Sequence, residues 1–129
     1  MNTLPKTESL KSKKLIRLLF ESGKSEFVYP YKIVYRVLES NEKQAALVLI
    51  SVGKKKIKTA VGRNRIKRLF REAYRKNKHP LLKVLEEQKI HIALGFVYIG
   101  DPKADYPFIE EKTKAALSHL SQLFRNMSI

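Results

Sequence analysis

The 129-residue sequence predicts an α+β fold, an α/β sandwich in which three helices pack with one mixed sheet of about four strands. The elements follow one another in the order helix, strands, helix, strand, helix, which favours helices packed on a single sheet. The hydrophobic fraction of 43% is enough to build a core in a chain of this length. Residues 89–99 are almost continuously apolar, which is typical of a central strand covered on both faces. We therefore expect one domain over residues 1–129, with frayed ends at about 1–8 and 126–129.

The first half of the chain carries one amphipathic helix and two strands. The helix is predicted over residues 9–22, where an apolar stripe is followed by Gly23, a natural stop. Residues 29–38 are rich in aromatic and β-branched side chains and predict a strand. A polar turn at 39–42 leads to a second apolar strand at 45–52. The stripe of the helix consists of Leu15, Ile16, Leu18, Leu19 and Phe20.

The second half holds the two longest predicted helices. The first runs from residue 59 or 60 to about 76, with apolar residues at the spacing of one helix face. The strand at 89–99 is broken by Gly100, Asp101 and Pro102, and a last helix runs from residue 105 or 106 to 124. The inward-facing residues of these helices are Ile66, Leu69, Phe70, Ala73 and Tyr74, then Ala116, Leu117, Leu120 and Phe124.

The formal net charge of +15 is the strongest constraint on function, since 27 Lys and Arg stand against 12 Asp and Glu. Such an excess repels itself in a compact chain unless a polyanion neutralises it. Nucleic acid is the first candidate partner, and an anionic membrane surface is the second. The absence of cysteine excludes disulfides, thiolate catalysis and cysteine-based metal sites. Neither a signal peptide nor a membrane-spanning run is visible, so a cytoplasmic protein is the simplest interpretation.

Twelve basic residues fall between residues 53 and 78, and only Glu72 opposes them there. On the predicted helix, at about 100° per residue, a set of polar residues projects within roughly a third of a turn, opposite the apolar face. Arginine can bind phosphate through two hydrogen bonds, and the helix N-terminus adds unpaired N–H groups and a positive dipole end. The polar face consists of Asn64, Lys67, Arg68, Arg71 and Arg75, with Arg63 and Arg65 flanking its start.

A merely solvated helix face is the competing interpretation of this charge. Solvated faces usually mix charges of opposite sign four residues apart, because such pairs stabilise the helix. Here like charges stack at that spacing and destabilise an isolated helix. The pattern favours an external anion that offsets the repulsion. The residues in that stack are Arg63, Lys67, Arg71 and Arg75.

Two stretches of this region form a longer motif. The first is Ser51-Val52-Gly53-Lys54-Lys55, and the second is Ala60-Val61-Gly62-Arg63-Asn64-Arg65-Ile66-Lys67-Arg68-Leu69-Phe70-Arg71-Glu72. Together they closely resemble the signature of the bacterial ribonuclease P protein component. The Arg-Asn-Arg-x-x-Arg core of that signature is matched by Arg63, Asn64, Arg65 and Arg68.

The resemblance implies a fold, a reaction and partners. The fold is an α/β sandwich with a left-handed β-α-β crossover made by the basic helix. The protein assists a catalytic RNA, which uses Mg²⁺ to remove the 5′ leader of precursor tRNA, so no catalytic residue is expected in this chain. The implied partners are that RNA and precursor tRNA, not DNA or a membrane, with the protein monomeric within the particle. The expected RNA-binding residues are Lys54, Lys55, Arg63, Asn64, Arg65, Lys67, Arg68 and Arg71, together with Arg75 of the same face.

The resemblance also implies a cleft between the first helix and the sheet that holds the single-stranded leader. Phe20 matches an aromatic position of this cleft, and Ile16 stands where many relatives carry another aromatic residue. Tyr35 is matched to a strand position, and Tyr31 shares its strand face by period-two alternation. Aromatic rings beside a positive groove stack on unpaired bases. The competing interpretation is that the tyrosines and Phe20 pack in the core.

Three other functions fit the composition. A structural RNA-binding protein of another particle, such as the ribosome, is separated from the first hypothesis only by the motif. A DNA-binding regulator would place the basic helix in a major groove, but a strand and a lysine loop precede that helix where a helix-turn-helix has a partner helix. Membrane-surface binding is disfavoured because the basic face lacks interfacial tryptophan. No metal site is predicted, since His79, His91 and His119 share no ligand spacing.

Overall fold

A computed structural model of the chain describes residues 6–39 and 44–127. Within these ranges, four α-helices and four strands follow a 3₁₀ turn at Lys6–Glu8. Most of the predicted turn at 39–42 lies outside the described residues. The elements are α1 (Lys13–Ser22), β1 (Lys24–Val28), β2 (Tyr31–Leu38), β3 (Ala46–Val52), α2 (Ala60–Asn77), α3 (His79–Gln88), β4 (His91–Tyr98) and α4 (Tyr106–Arg125).

The strands form one mixed sheet in the order β1-β2-β4-β3. β2 pairs antiparallel with both β1 and β4, whereas β3 and β4 are parallel. A parallel pair needs a long crossover connection, and α2 and α3 supply it between β3 and β4. The predicted α+β class with about four strands is confirmed. The crossover passes through the basic helix α2, and its left-handedness stays a prediction of the resemblance.

Two elements were not predicted. The expectation of three helices is wrong, because a fourth helix, α3, follows α2 with only Lys78 between them. Pro80 sits in the first turn of α3, where the N–H that proline lacks would have no helical partner anyway. β1 is likewise an additional strand. The strand predicted from residue 29 begins at Tyr31, because Tyr29 and Pro30 form a turn with a cis peptide bond.

The first helix begins at Lys13 rather than at residue 9. Ser12 caps it, since the Ser12 hydroxyl accepts a hydrogen bond from the Leu15 N–H at 3.3 Å. Ser9 instead forms a parallel bridge with Val48 at the outer edge of β3. The predicted stop at Gly23 is confirmed.

The two faces of the sheet carry two separate cores. On the face called here the α2/α4 face, Ile92, Leu94, Phe96 and Tyr98 of β4 are fully buried. The Phe70 ring of α2 lies 4.7 Å from the Phe96 ring, measured between centroids. This larger core therefore fixes the apolar side of α2 against the sheet and leaves its polar side outward.

The opposite face, called here the α1 face, has a smaller core. Leu10, Leu19, Val34 and Ala93 are buried there. Gly95 of β4 lets α1 approach, because a Cβ at Gly95 would lie 3.0 Å from Val34 Cγ2 and 3.2 Å from Leu19 Cδ2. The single ten-residue helix α1 leaves part of this face exposed.

Residues 8–10 tie the two faces together. The Glu8 carboxylate accepts hydrogen bonds from Lys78 Nζ at 2.8 and 2.7 Å, and both side chains are about nine-tenths buried. The Leu10 N–H donates to the Val48 carbonyl at 2.9 Å, and the Leu10 side chain enters the core of the α1 face. These contacts tie Glu8 and Leu10 to the rest of the fold, whereas fraying of the N-terminal end stays a prediction.

The C-terminal residues that the structure describes also contact the rest of the fold. The Asn126 and Met127 N–H groups donate to carbonyls of α4, and Met127 packs against the larger core. Residues 1–5 and 128–129, for which fraying was also predicted, lie outside the described residues.

The Glu8–Lys78 ion pair is expected to show strong coupling. Glu8→Gln or Lys78→Met alone leaves one buried charge without its partner and lowers the free energy of unfolding by about 3 kcal/mol. The double variant should lose clearly less than the sum of the two losses. Urea denaturation of the four proteins measures the coupling, and additive losses would contradict it.

Candidate RNA-binding surfaces

Helix α2 presents its cations because its other side is anchored in the core. Thr59 caps the helix by accepting a hydrogen bond from the Gly62 N–H at 3.0 Å. Ile66, Phe70, Ala73 and Tyr74 are fully buried against the sheet and α4. The residues on the opposite side of the helix, among them Lys67, Arg68 and Arg71, point away from the core at helical spacing. Apolar burial thus offsets the repulsion that the like charges exert on the helix.

Four of the predicted RNA-binding residues on α2 extend towards solvent. Asn64 and Arg68 are exposed, and Lys67 and Arg71 are half-buried. Within residues 6–39 and 44–127, no hydrogen bond or ion pair holds any of these four side chains. Their polar groups are free to meet an external anion.

Arg63 and Arg65, in contrast, bind the chain's own backbone. Arg63 Nη1 donates to the carbonyls of Ile57 at 2.8 Å and Lys58 at 3.0 Å. Arg65 Nη2 donates to the Ala104 carbonyl at 2.8 Å, in the loop between β4 and α4. Both were predicted as RNA-binding residues, and both have a structural role that the motif did not reveal. Each guanidinium keeps other N–H groups that can reach a phosphate.

The loop between β3 and α2 continues the basic surface. Lys54 and Lys55, both predicted, are exposed, and Ile57 is buried and anchors the loop. With Arg63 holding the Ile57 and Lys58 carbonyls, the loop brings its lysines next to the N-terminus of α2. This arrangement joins lysine charges to the positive end of the helix dipole. We define the basic surface as Lys54, Lys55, Lys56, Lys58, Asn64, Lys67, Arg68 and Arg71.

Arg75, the last predicted residue of the basic face, is engaged by the one acid of the helix. Arg75 Nη2 lies 2.7 Å from Glu72 Oε1, and Lys76 Nζ lies 3.6 Å from the same oxygen. Glu72 is buried, which strengthens its attraction for the two cations. Arg75 therefore brings less free charge to a polyanion than Arg68 does.

A groove of about 340 Å³ runs between α2 and α4 beside this pair. Burial, together with the nearby Glu110 carboxylate, raises the pKa of Tyr106 to about 12. The Tyr106 hydroxyl consequently stays protonated and donates to Glu110 at 3.2 Å. Hydrogen bonds, first from Asn77, hold the pKa of Glu110 below its usual range. Glu72 of α2 and Glu110 of α4, the two acids beside this groove, are thus both held by side chains of the same chain.

Tyr31 and Tyr35 do not lie in the cleft beside α1. Both point to the α2/α4 face, where Tyr31 is fully buried and Tyr35 is 5% exposed. The Tyr31 hydroxyl shares a 2.9 Å hydrogen bond with the Thr113 hydroxyl of α4, and the Tyr35 ring packs edge-on against Phe124. Burial raises the pKa of both phenols. Both tyrosines are therefore core residues, as the competing interpretation predicts, and their burial argues against the predicted role in leader binding.

Phe20 and Ile16 do lie at the α1 face. Phe20 is 46% exposed. Its ring lies over Gly95, because a Cβ added to Gly95 would be 3.5 Å from Phe20 Cζ. Ile16 is half-buried and packs against the smaller core. A ring accessible to stacking is therefore available at Phe20, whereas Ile16 mainly supports α1.

Phe27 is an exposed aromatic residue of the same face that the sequence analysis missed. It pairs with Lys32 across the β1–β2 ladder and is 61% exposed. Because β1 has only five residues, and only Phe27 and Val28 of them are apolar, no alternating pattern predicted it as a strand. The sequence feature that could have indicated an exposed aromatic residue is a phenylalanine that follows the polar residues 24–26.

The described part of the chain holds no cluster of metal-ligand side chains. Within residues 6–39 and 44–127, no group of three or more His, Cys, Asp or Glu could hold a metal ion. His91 contacts the Gln44 carbonyl, and His119 bonds Glu26, far from the basic surface in sequence. Over the same residues, none of the helices is both long and apolar enough to cross a membrane.

Comparison with known proteins points to one family. The family model described as Ribonuclease P matches residues 4–126. The ribonuclease P protein component of Porphyromonas gingivalis is 38% identical over 118 residues, which cover 92% of this chain and 86% of that protein. The corresponding protein of Chlorobium phaeobacteroides is 40% identical, with 85% and 80% covered.

The fold is also similar to that of solved ribonuclease P proteins. The structure of the ribonuclease P protein from Staphylococcus aureus superposes with a TM-score of 0.65, covering 90% of this chain and 94% of that chain at 19% identity. At this identity the likeness concerns the fold alone, and the family assignment comes from the sequence relatives. With the family signature on α2, the matching fold and relatives along nearly the whole chain, this protein belongs to the ribonuclease P protein component family.

Proposed function

We propose that the basic surface binds the catalytic RNA of ribonuclease P and that the α1 face binds the 5′ leader of precursor tRNA. Membership of the family makes the chain a protein subunit of this tRNA-processing endoribonuclease, whose catalytic centre lies in the RNA subunit. The ribosomal alternative is not favoured, since the family match extends over residues 4–126. The protein then acts by binding and positioning two RNA molecules.

The observation that carries the proposal is the set of polar side chains on the basic surface that have no partner in the described chain. Arg71 stands one turn of α2 after Lys67 and Arg68, so these charges repel one another. A phosphate backbone placed along this row removes the repulsion and releases condensed counterions. Arg68 and Arg71 can each bind a phosphate through two parallel hydrogen bonds.

Support for leader binding comes from the exposed part of the α1 face. Phe20 offers an accessible ring there, and Lys32 and Ser51 offer polar groups on the same side of the sheet. Stacking of an unpaired base on an aromatic ring contributes about 1–3 kcal/mol and tolerates any base. That tolerance suits leaders of varied sequence.

We assign Mg²⁺ to the RNA subunit. Support for this assignment comes from the family, whose catalytic centre lies in the RNA subunit. The protein contributes fixed cations, which reduce the repulsion between the two RNAs and therefore the amount of Mg²⁺ needed to screen it. We further propose one copy of the protein per particle, in the cytoplasm.

Cleavage of precursor tRNA at low Mg²⁺ tests the proposed function. The cognate catalytic RNA should cleave only when the protein is added, because fixed cations replace part of the ionic screening. The protein alone should not cleave. Equal rates with and without protein, at every Mg²⁺ concentration, would contradict the proposal.

Arg68 and Arg71 are expected to contact phosphates. Replacing either by alanine should weaken binding to the catalytic RNA and lower the slope of log affinity against log salt by less than about one unit. Lys83→Ala, on the exposed side of α3, is the matched control and should leave the slope unchanged. A change of equal size in the control would show that only net charge matters.

Arg65 and Arg68 should differ in their effect on stability. Arg65→Ala removes the hydrogen bond that holds the β4–α4 loop and lowers the free energy of unfolding by about 1–2 kcal/mol. Arg68→Ala removes no described contact and should change that free energy by less than about 0.5 kcal/mol. Thermal denaturation of the two variants without RNA compares them, and equal stability would contradict the structural role of Arg65.

A further inference from the structure

One row of residues crosses the α1 face from edge to edge. The ladders place Ser51 of β3 beside Val97 of β4, Val97 beside Lys32 of β2, and Lys32 beside Phe27 of β1. Residues directly opposite each other in a sheet point to the same face. These four side chains therefore form one continuous line, called here the strip, roughly 14 Å long over three strand spacings.

The strip is the part of this face that α1 leaves open. Lys32 and Phe27 are exposed, and Ser51 and Val97 are half-buried. The neighbouring row contains Gly95 and Val34, which are buried beneath Leu19 of α1. Phe20 stands above Gly95, two residues from Val97 along β4, so its ring borders the strip. The strip thus has α1 as one wall and the sheet as its floor.

The two ends of the strip differ in chemistry. At the β3 end, Ser51 is followed within four residues by Lys54 and Lys55 of the basic surface. At the β1 end lies Phe27, whose 61% exposure is the largest of any described aromatic side chain. A phenylalanine in this position on an edge strand has no role in either core of the fold, and it invites unwanted association. Beside Lys32, however, it offers a stacking ring and a phosphate-binding cation together.

We propose that Phe27 is a stacking platform for the distal part of long leaders at the far edge of the sheet, with Lys32 as the adjacent phosphate contact. The inference rests on the proposed binding of the leader at the α1 face. The catalytic RNA on the basic surface lies at the β3 end, so a leader enters beside Lys54 and Lys55, passes Phe20, and reaches Phe27 last. Phe27 therefore contacts only leaders long enough to span the strip.

The test measures affinity of the assembled ribonucleoprotein for precursor tRNAs with a short leader and with a leader that exceeds the strip. Phe27→Ala should weaken binding of the long-leader substrate at least about fivefold and leave the short-leader substrate unchanged. Phe27→Tyr keeps an aromatic ring and should restore binding. Val37→Ala, at an exposed position of β2 on the opposite side of the sheet, is the matched control and should bind like the wild type.

The outcomes separate this inference from the proposed function. If Phe20→Ala abolishes the preference for long leaders and Phe27→Ala does not, the leader binds the α1 face without using the far end of the strip, and the inference fails alone. If the protein confers no preference for longer leaders in any form, the proposed leader binding fails with it. If Phe27→Ala instead changes the sedimentation of the free protein, Phe27 belongs to a contact between two copies, and the inference is overturned.

Discussion

The central strand β4 has to be covered on both faces, and most of the architecture follows from that requirement. Ile92, Leu94 and Phe96 point to one face and Ala93 to the other, and all four are fully buried. Helices α2 and α4 cover the first face, and α1 covers the second. Because β3 is parallel to β4, the connecting helix α2 must pack on the sheet, and its charged side must then face outward. The same pairing that builds the core therefore presents the cations.

Burial of the apolar side of α2 stabilises the helix against the repulsion between its cations. An isolated helix with this charge pattern would be destabilised by like charges at i, i+4. Ile66, Phe70 and Tyr74 are fully buried, which stabilises the helix by apolar burial before any RNA is bound. The protein can thus display a preformed basic surface, and an RNA partner does not have to bear the cost of ordering it.

The two proposed binding surfaces meet at the C-terminal end of β3. There the strip ends at Ser51, and the lysine loop begins two residues later, held by Arg63 through the Ile57 and Lys58 carbonyls. A catalytic RNA and a leader bound at these surfaces would approach each other across a few residues. Fixed positive charge at that point reduces the phosphate repulsion between them. On the proposed function, RNA binding and substrate positioning would thus be connected through this end of β3, while the catalytic centre lies in the RNA subunit.

The sequence by itself determined the fold class, the basic helix and the family, because each depends on local spacing or on a contiguous motif. It also grouped Tyr31 and Tyr35 on one strand face, but alternation does not say which helix covers that face. Only the tertiary structure decided that α4 covers it, which buries both tyrosines and leaves Phe20 and Phe27 on the other side. It also decided that Arg65 bonds Ala104, 39 residues away, because a contact of that range depends on how the whole chain packs.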